Sequence, residues 1–236
     1  MQKSSVALLI PVYNNPATIQ KVVEEALLLE MQVIVVDDGS EVEVSTIVEN
    51  NPKLSILRHE KNQGKGEALL TGTREAKAQG FEFVIAIDGD GQHYPSEAKH
   101  LLEVLEEETI VIGNRKFKED VPNSSKFGRA FSNFWIFTES GRWLNDTQSG
   151  FRAYPISILE LNLKQSHYDF EIEVLIRHLW EKRVIKEVEI EVYYPPKGTR
   201  VSHFDKVTDN VRLSKLHSRL VFKNLLRLLS LGIYRP

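Results

Sequence analysis

Apolar runs separated by amphipathic stretches set the rhythm of the first half of the chain. Residues 5–12 (SVALLIPV) form a nearly continuous apolar run, the mark of a strand buried on both faces. MQVIVVDDGS repeats that pattern and ends in two aspartates and a glycine turn, and LSILRHE follows as a third strand. FEFVIAIDGDGQH is a fourth strand leading into a glycine-aspartate loop, and TIVIGNR is a fifth. Between the strands lie helical patterns. Pro16 to Glu30 places Ile19, Val22, Val23, Ala26 and Leu27 on one stripe, with Pro16 where a first-turn proline is tolerated. Val44 to Asn50 predicts a short helix stopped before Pro52. Gly66 to Gln79 predicts a longer one, ended by Gly80. Ser96 and Glu97 read as the N-cap and first turn of a helix that runs to about Glu107. Strands alternating with helices predict an α/β fold, a mostly parallel twisted sheet with helices on both faces.

After Arg115 the rhythm breaks. Residues 116–145 carry charges, Asn and Ser, then a helix-like aromatic patch of Phe131, Phe134, Trp135 and Phe137. Residues 146–155 (DTQSGFRAYP) read as a polar loop. Tyr168 to Trp180 predicts a helix, VIKEVEIEVYYPP an alternating strand, and Val207 to Tyr234 a terminal helix.

Composition narrows the class. The 236 residues are 42% hydrophobic and 27% charged, which excludes a disordered chain. There is no cysteine, so a disulfide scaffold, a cysteine-ligated zinc site and thiol catalysis are excluded. No run of about 18 apolar residues suggests a membrane span. The first residues resemble no secretory signal, so a cytoplasmic location is the expectation. The net charge of -3 argues against wholesale nucleic-acid binding. That value is uneven: residues 197–236 hold nine basic and two acidic residues, while residues 1–196 hold 21 basic and 31 acidic. A body of -10 with a tail of +7 hints at a surface that meets anions.

In a parallel sheet, ligands bind beyond the carboxyl ends of the strands. Three polar clusters fall there: Tyr13-Asn14, Asp37-Asp38 and the run from Asp88 to His93. Asp88 and Asp90, two residues apart, share one side if strand geometry continues, and with Gln92 they suit a hard divalent cation. The bland alternative is an acidic turn that caps the next helix. Asp37 and Asp38 could accept from a ribose or base, or anchor an Asp-Gly turn. All four aspartates in one pocket would need a cation. NQGKGEALLTG is either a phosphate-binding helix start with Lys65 or a plain turn; it is neither a P-loop nor a dinucleotide fingerprint. The seven histidines show no helical metal-ligand pair, and no GxSxG elbow is present.

PVYNN, VVDDGS, NxGKGxA, DGDGQHxP, GNR and DTQSGFRAYP, in this order, resemble the family-2 inverting glycosyltransferases, and within them the dolichol-phosphate mannose synthase or polyprenyl-phosphate glycosyltransferase branch. The resemblance spans about residues 5–200. It implies a GT-A-like fold, a GDP- or UDP-sugar donor, Mg2+ or Mn2+, and a lipid-phosphate or other acceptor. Position by position it implies that Pro11, Tyr13, Asn14, Val36 and Asp38 line the base and ribose. Lys65, Asp88 and Gly89 would lie at the donor, and Asp88, Asp90 and Gln92 would hold the metal on its diphosphate. Arg115 and Arg129 would face donor or acceptor phosphate, and Ser149 and Arg152 would shape the acceptor side. GTRVSHFDK departs from the branch's usual Arg-x-Gly-x-Ser-Lys-like segment, with Arg200 and Lys206 as the nearest equivalents. GRW at 141–143 precedes SGFR, unlike the late Gln-x-x-Arg-Trp of processive synthases.

An ionised lipid phosphate needs no strong general base, whereas a hydroxyl acceptor does. Asp169 and Glu171 are the candidates for that base, and otherwise they cap and solvate a helix. The expected organisation is a catalytic domain over residues 1–200 and a basic amphipathic tail over 201–236. In the tail, Arg212, Lys215, Arg219, Lys223 and Arg227 share a face beside a stripe of Leu213, Leu216, Leu220, Leu225, Leu228 and Leu229. This suits either a helix in a membrane interface or one docked on the core with snorkelling cations. A sugar nucleotidyltransferase and a non-catalytic nucleotide-sugar binder are the competing readings.

Overall fold

The computed structural model describes residues 5–116, 123–164, 167, 169–193 and 208–229; for residues 123–128, 208–212 and 228 it describes the backbone alone. Strands β1 (Val6–Val12), β2 (Val33–Asp37) and β3 (Leu54–Arg58) form one half of a sheet. Strands β4 (Phe83–Ala86), β5 (Ile110–Arg115), β6 (Arg152–Pro155) and β7 (Ile185–Ile190) form the other. The order is β3-β2-β1-β4-β6-β5-β7. Every pairing is parallel except those of β6, which runs antiparallel to both β4 and β5.

Alternation along β1 divides the core. Val6, Leu8, Ile10 and Val12 face helices α1 (Ile19–Leu27) and α3 (Ala98–Val104), while Ala7 and Leu9 face α2 (Lys65–Ala78) and α5 (Phe170–Trp180). All seven β1 residues are buried, each large apolar side chain contributing roughly 2 kcal/mol. Gly72 lets α2 approach closely, since a Cβ there would collide with Leu9. Helices α4 (Asn123–Ser140) and α6 (Thr208–Leu229) extend the second layer, with Ile136, Leu216 and Leu220 in its core.

Several elements differ from the sequence expectation. Residues 44–50 make only a 3-10 turn, Val44–Thr46. Ser96 does not cap α3; it lies inside a 3-10 turn started by Pro95, whose ring fixes φ. The helix ends at Val104 rather than Glu107. The largest difference is β6, four buried residues inside the expected polar loop.

The chain steps outward from β1 in both directions, so the switch point lies between β1 and β4. Tyr13 and Asn14 leave one of these strands there, and Asp88 and Asp90 leave the other. Because β6 is antiparallel and pairs Arg152 with Ala86, its entering loop, residues 146–151, arrives at this same edge.

Candidate active site

Asp88 sits past the end of β4, just before the turn that contains Asp90, so strand alternation does not orient the Asp88/Asp90 pair. Lys65, the first residue of α2, reaches across with Nζ 2.6 Å from Asp88 Oδ1 and 2.9 Å from Glu171 Oε1. Burial alone would lower the Lys65 pKa, but these two carboxylates reverse that and hold it well above its ordinary value. Burial would likewise raise Asp88; the Lys65 ammonium dominates and holds it at about 2. Gly150 packs against this pair, and a Cβ there would run into the Asp88 carboxylate and lie 2.7 Å from Lys65 Nζ.

Asp90 accepts from the backbone N–H of Gln92 at 3.0 Å and from its side-chain amide, so the turn presents two carboxylates and an amide oxygen. His93 is buried, with its Nδ1 3.8 Å from Asp88 Oδ2 and no hydrogen-bond partner at either ring nitrogen. Burial lowers its pKa to about 4, so the ring is neutral near pH 7. Among the described residues no three acidic or imidazole side chains form a closed metal cage. The donor types of Asp88, Asp90 and Gln92 suit a cation that takes one or two carboxylates and completes its shell with phosphate. Neutral His93 is also an acceptor in search of a donor or a metal.

A second charged cluster lies beside the first. Asp146, fully buried, accepts from Arg115 Nε and Nη2, each at 2.8 Å, and its Oδ2 lies 3.0 Å from Arg129 Nη2. Arg115 and Arg129 keep 20% and 11% of their side-chain surface exposed. Two arginines share this one carboxylate, and Arg115 is close enough to lower Asp88 further. Burial would push Asp146 up, but the arginines hold its carboxyl below the usual range.

Other site expectations change. Asp38 is buried and holds the glycine loop: its Oδ1 accepts from Gln63 N at 2.9 Å and pairs with His59 Nδ1 at 2.7 Å, and its Oδ2 accepts from Gly64 N at 2.8 Å. Asp37 anchors the following turn through Ser40 N and Val44 N and pairs with Arg58. The expected four-aspartate pocket therefore does not form, since Arg58 and His59 each serve one of the first pair. Pro11 and Val36 are register partners inside the sheet and buried, so they back the site rather than line it. Half-buried Tyr13 and Asn14 stand at the rim, with Asn14 tied to Ser40 and Glu41. Gly89 is buried, its carbonyl accepting from Thr18 Oγ1 at 2.7 Å.

Arg152 is engaged within the protein. It is fully buried, and its guanidinium donates to the carbonyls of Thr147, Ser149 and Glu171, fixing the loop to α5. Ser149 is equally buried. Glu171 is committed to Lys65, and Asp169 is buried immediately before α5. Arg200 and Lys206 lie outside the described residues. Sequence reasoning missed Asp146 and Gly150 as site residues, although each stands in a motif already singled out, and marked His93 out from the other histidines by its position alone.

The sequence profile of glycosyl transferase family 2 matches residues 7–172. A UDP-N-acetylglucosamine–dolichyl-phosphate N-acetylglucosaminyltransferase of Methanococcus voltae is 29% identical over 231 residues, covering 85% of this chain and 92% of the relative. An undecaprenyl-phosphate mannosyltransferase of Micrococcus luteus is 27% identical over 201 residues, 78% and 82% of the two chains. Among solved structures, glucosyl-3-phosphoglycerate synthase from Mycobacterium tuberculosis, in complex with Mn2+, UDP and phosphoglyceric acid, superposes with a TM-score of 0.63. It is 19% identical, over 98% of this chain and 80% of that one, a likeness of fold. Fold, ordered motifs and profile agree: the chain belongs to glycosyltransferase family 2 and is a glycosyltransferase of the polyprenyl-phosphate branch with a GT-A-like fold.

Proposed function

We propose that the protein transfers a sugar from a GDP- or UDP-sugar to a polyprenyl phosphate, with inversion and with Mg2+ or Mn2+. The observation that carries this reading is the Arg115–Asp146–Arg129 cluster beside the Asp88 turn. One anionic group, the donor diphosphate, suits Lys65 and the aspartate turn. The two arginines next to it suit another phosphate, which is the acceptor chemistry named for the Methanococcus and Micrococcus relatives. Asp88, Asp90 and Gln92 would hold the cation, which neutralises charge on the departing nucleoside diphosphate. Lys65 and Arg115 contribute positive charge to the same end. An acceptor phosphate arrives ionised, so it attacks the anomeric carbon without a general base. The commitment of Glu171 to Lys65 agrees with that.

Helices α4 and α6 give the lipid a place to be met. Their outer faces carry exposed Phe131, Phe134 and Phe137, and exposed Val221, Phe222, Leu225 and Leu229. Among the described residues no helix is long and apolar enough to cross a membrane. We place residues 1–200 as the catalytic part and residues 201–236 as part of a peripheral membrane contact.

A panel of nucleotide sugars, each with Mn2+ and a polyprenyl phosphate, tests the reading through release of nucleoside diphosphate. One donor should turn over only with the lipid present, and Asp88→Ala should lower kcat by about 100-fold or more. Wild-type turnover in Asp88→Ala, or transfer to no lipid phosphate, would sink it.

A further inference from the structure

Lys65 occupies a position where two carboxylates converge. Its ammonium is 2.6 Å from Asp88 Oδ1 and 2.9 Å from Glu171 Oε1, with only 16% of the side chain exposed. The other Asp88 oxygen lies against Gly150, where no side chain could fit. One oxygen of Asp88 is therefore paired with a cation and the other lies toward Gly150 and His93, with 26% of the side chain left exposed as the way in for an ion. A divalent ion approaching Asp88 would also meet the Lys65 charge at close range, in a site only partly open to water.

We propose that Lys65 is a stand-in cation: it occupies Asp88 in the donor-free enzyme, keeps Mg2+ or Mn2+ from binding there, and is drawn off by the donor diphosphate. Cation and donor then bind together. The exchange conserves charge locally. Lys65 trades the carboxylate for a phosphate oxygen, and the released Asp88 oxygen becomes available to the ion. Glu171 acts as a positioning residue, holding Lys65 within reach of Asp88 from the first turn of α5. Gly150 belongs to the same device, because a larger residue would push Asp88 and Lys65 apart. This inference rests on the reading of Asp88 as a cation ligand.

Mn2+ binding measured by electron paramagnetic resonance, without any sugar donor, tests it. Wild type should bind Mn2+ weakly alone and at least about tenfold more tightly when UDP or GDP is added. Lys65→Met should bind Mn2+ at least about tenfold more tightly than wild type with no nucleotide. Lys65→Met leaves Glu171 unpaired, so the double variant Lys65→Met/Glu171→Gln is measured beside it and should show the same gain if the single variant does not fold. Equal Mn2+ affinity in wild type with and without nucleotide, or variants within about twofold of wild type, would overturn the exchange. Asp88→Ala with UDP separates the two layers. Loss of Mn2+ there, with no gain in the Lys65 variants, removes the exchange alone. Retention of Mn2+ in Asp88→Ala removes the cation reading itself.

Discussion

Asp146 shows what a single buried carboxylate can organise. It is fully buried, takes a two-pronged contact from Arg115 and holds Arg129 from α4, joining β5, α4 and the 146–151 loop at one atom pair. Asp146→Asn keeps the shape and removes the charge that two arginines share. Breaking a buried pair costs about 3–5 kcal/mol, and the partial exposure of both arginines puts the expected loss of stability near the lower figure. The kinetic consequence should be unequal: acceptor KM rises by about tenfold or more while donor KM rises less, because Lys65 and Asp88 keep their pairing and only the Arg115 charge near the diphosphate shifts. Urea unfolding and steady-state kinetics with each substrate varied check both parts. An equal rise in the two KM values would show that Asp146 supports the whole site rather than the acceptor side. The position of the aspartate turn at the sheet edge was legible in the sequence, since the apolar run FVIAI ends directly before DGDGQH. The pairing of Lys65 with Glu171 was not, because the two stand 106 residues apart and only the fold brings α2 and α5 together.

At the scale of elements, legibility followed burial chemistry. Strands β1, β2, β4 and β5 are apolar runs and declared themselves. Strand β6 did not, because Arg152 and Tyr154 are half of its four residues and look like loop. Arg152 can be buried only because three carbonyls satisfy its guanidinium, a condition no local pattern reveals. Helix α5 poses a similar case with a measurable consequence. His178 is fully buried near its end, with Nε2 facing the Val184 carbonyl at 3.1 Å, and burial lowers its pKa to about 4. Its unfolded value is near 6.5. Between those values the unfolded chain takes up a proton that the folded chain refuses, so stability falls as pH drops from about 6.5 to about 4. The loss is of order 3 kcal/mol by the lower end, at roughly 1.4 kcal/mol per unit. His178→Gln should flatten that part of the slope in denaturant titrations at pH 7, 6 and 5. An unchanged slope would mean that His178 charges without cost.

The whole molecule has an acidic body and a basic tail, but α6 is not a free cationic stripe. Arg219 turns inward to buried Glu173 at 3.0 Å, and Arg227 lies over the Trp180 ring. The leucine stripe also divides, with Leu216 and Leu220 in the core and Leu225 and Leu229 exposed. Among the described side chains, the large ones that α6 exposes are Val221, Phe222, Leu225 and Leu229, with Lys215 as the exposed cation. Trp135 of α4 stacks on His217 of α6 and also touches Phe131 and Phe134, so the aromatic surface of one helix runs into the other. Among the described residues, eight of the thirteen exposed large apolar side chains belong to α4, the turn after it, and α6. Such a face, with exposed Lys215 beside it, suits the interface of an anionic bilayer. Each large side chain buried there contributes about 1.5 kcal/mol or more, against about 1 kcal/mol for each basic residue near anionic lipid. Phe222→Ser/Leu225→Ser should therefore weaken flotation with anionic liposomes by more than about tenfold, and Phe131→Ser/Phe134→Ser by a similar factor. Lys215→Gln should weaken it less, and only when the liposomes are charged. Unchanged flotation in both apolar variants would discard the membrane contact. Unchanged flotation together with a shift from dimer to monomer in light scattering would assign the face to a second copy of the chain.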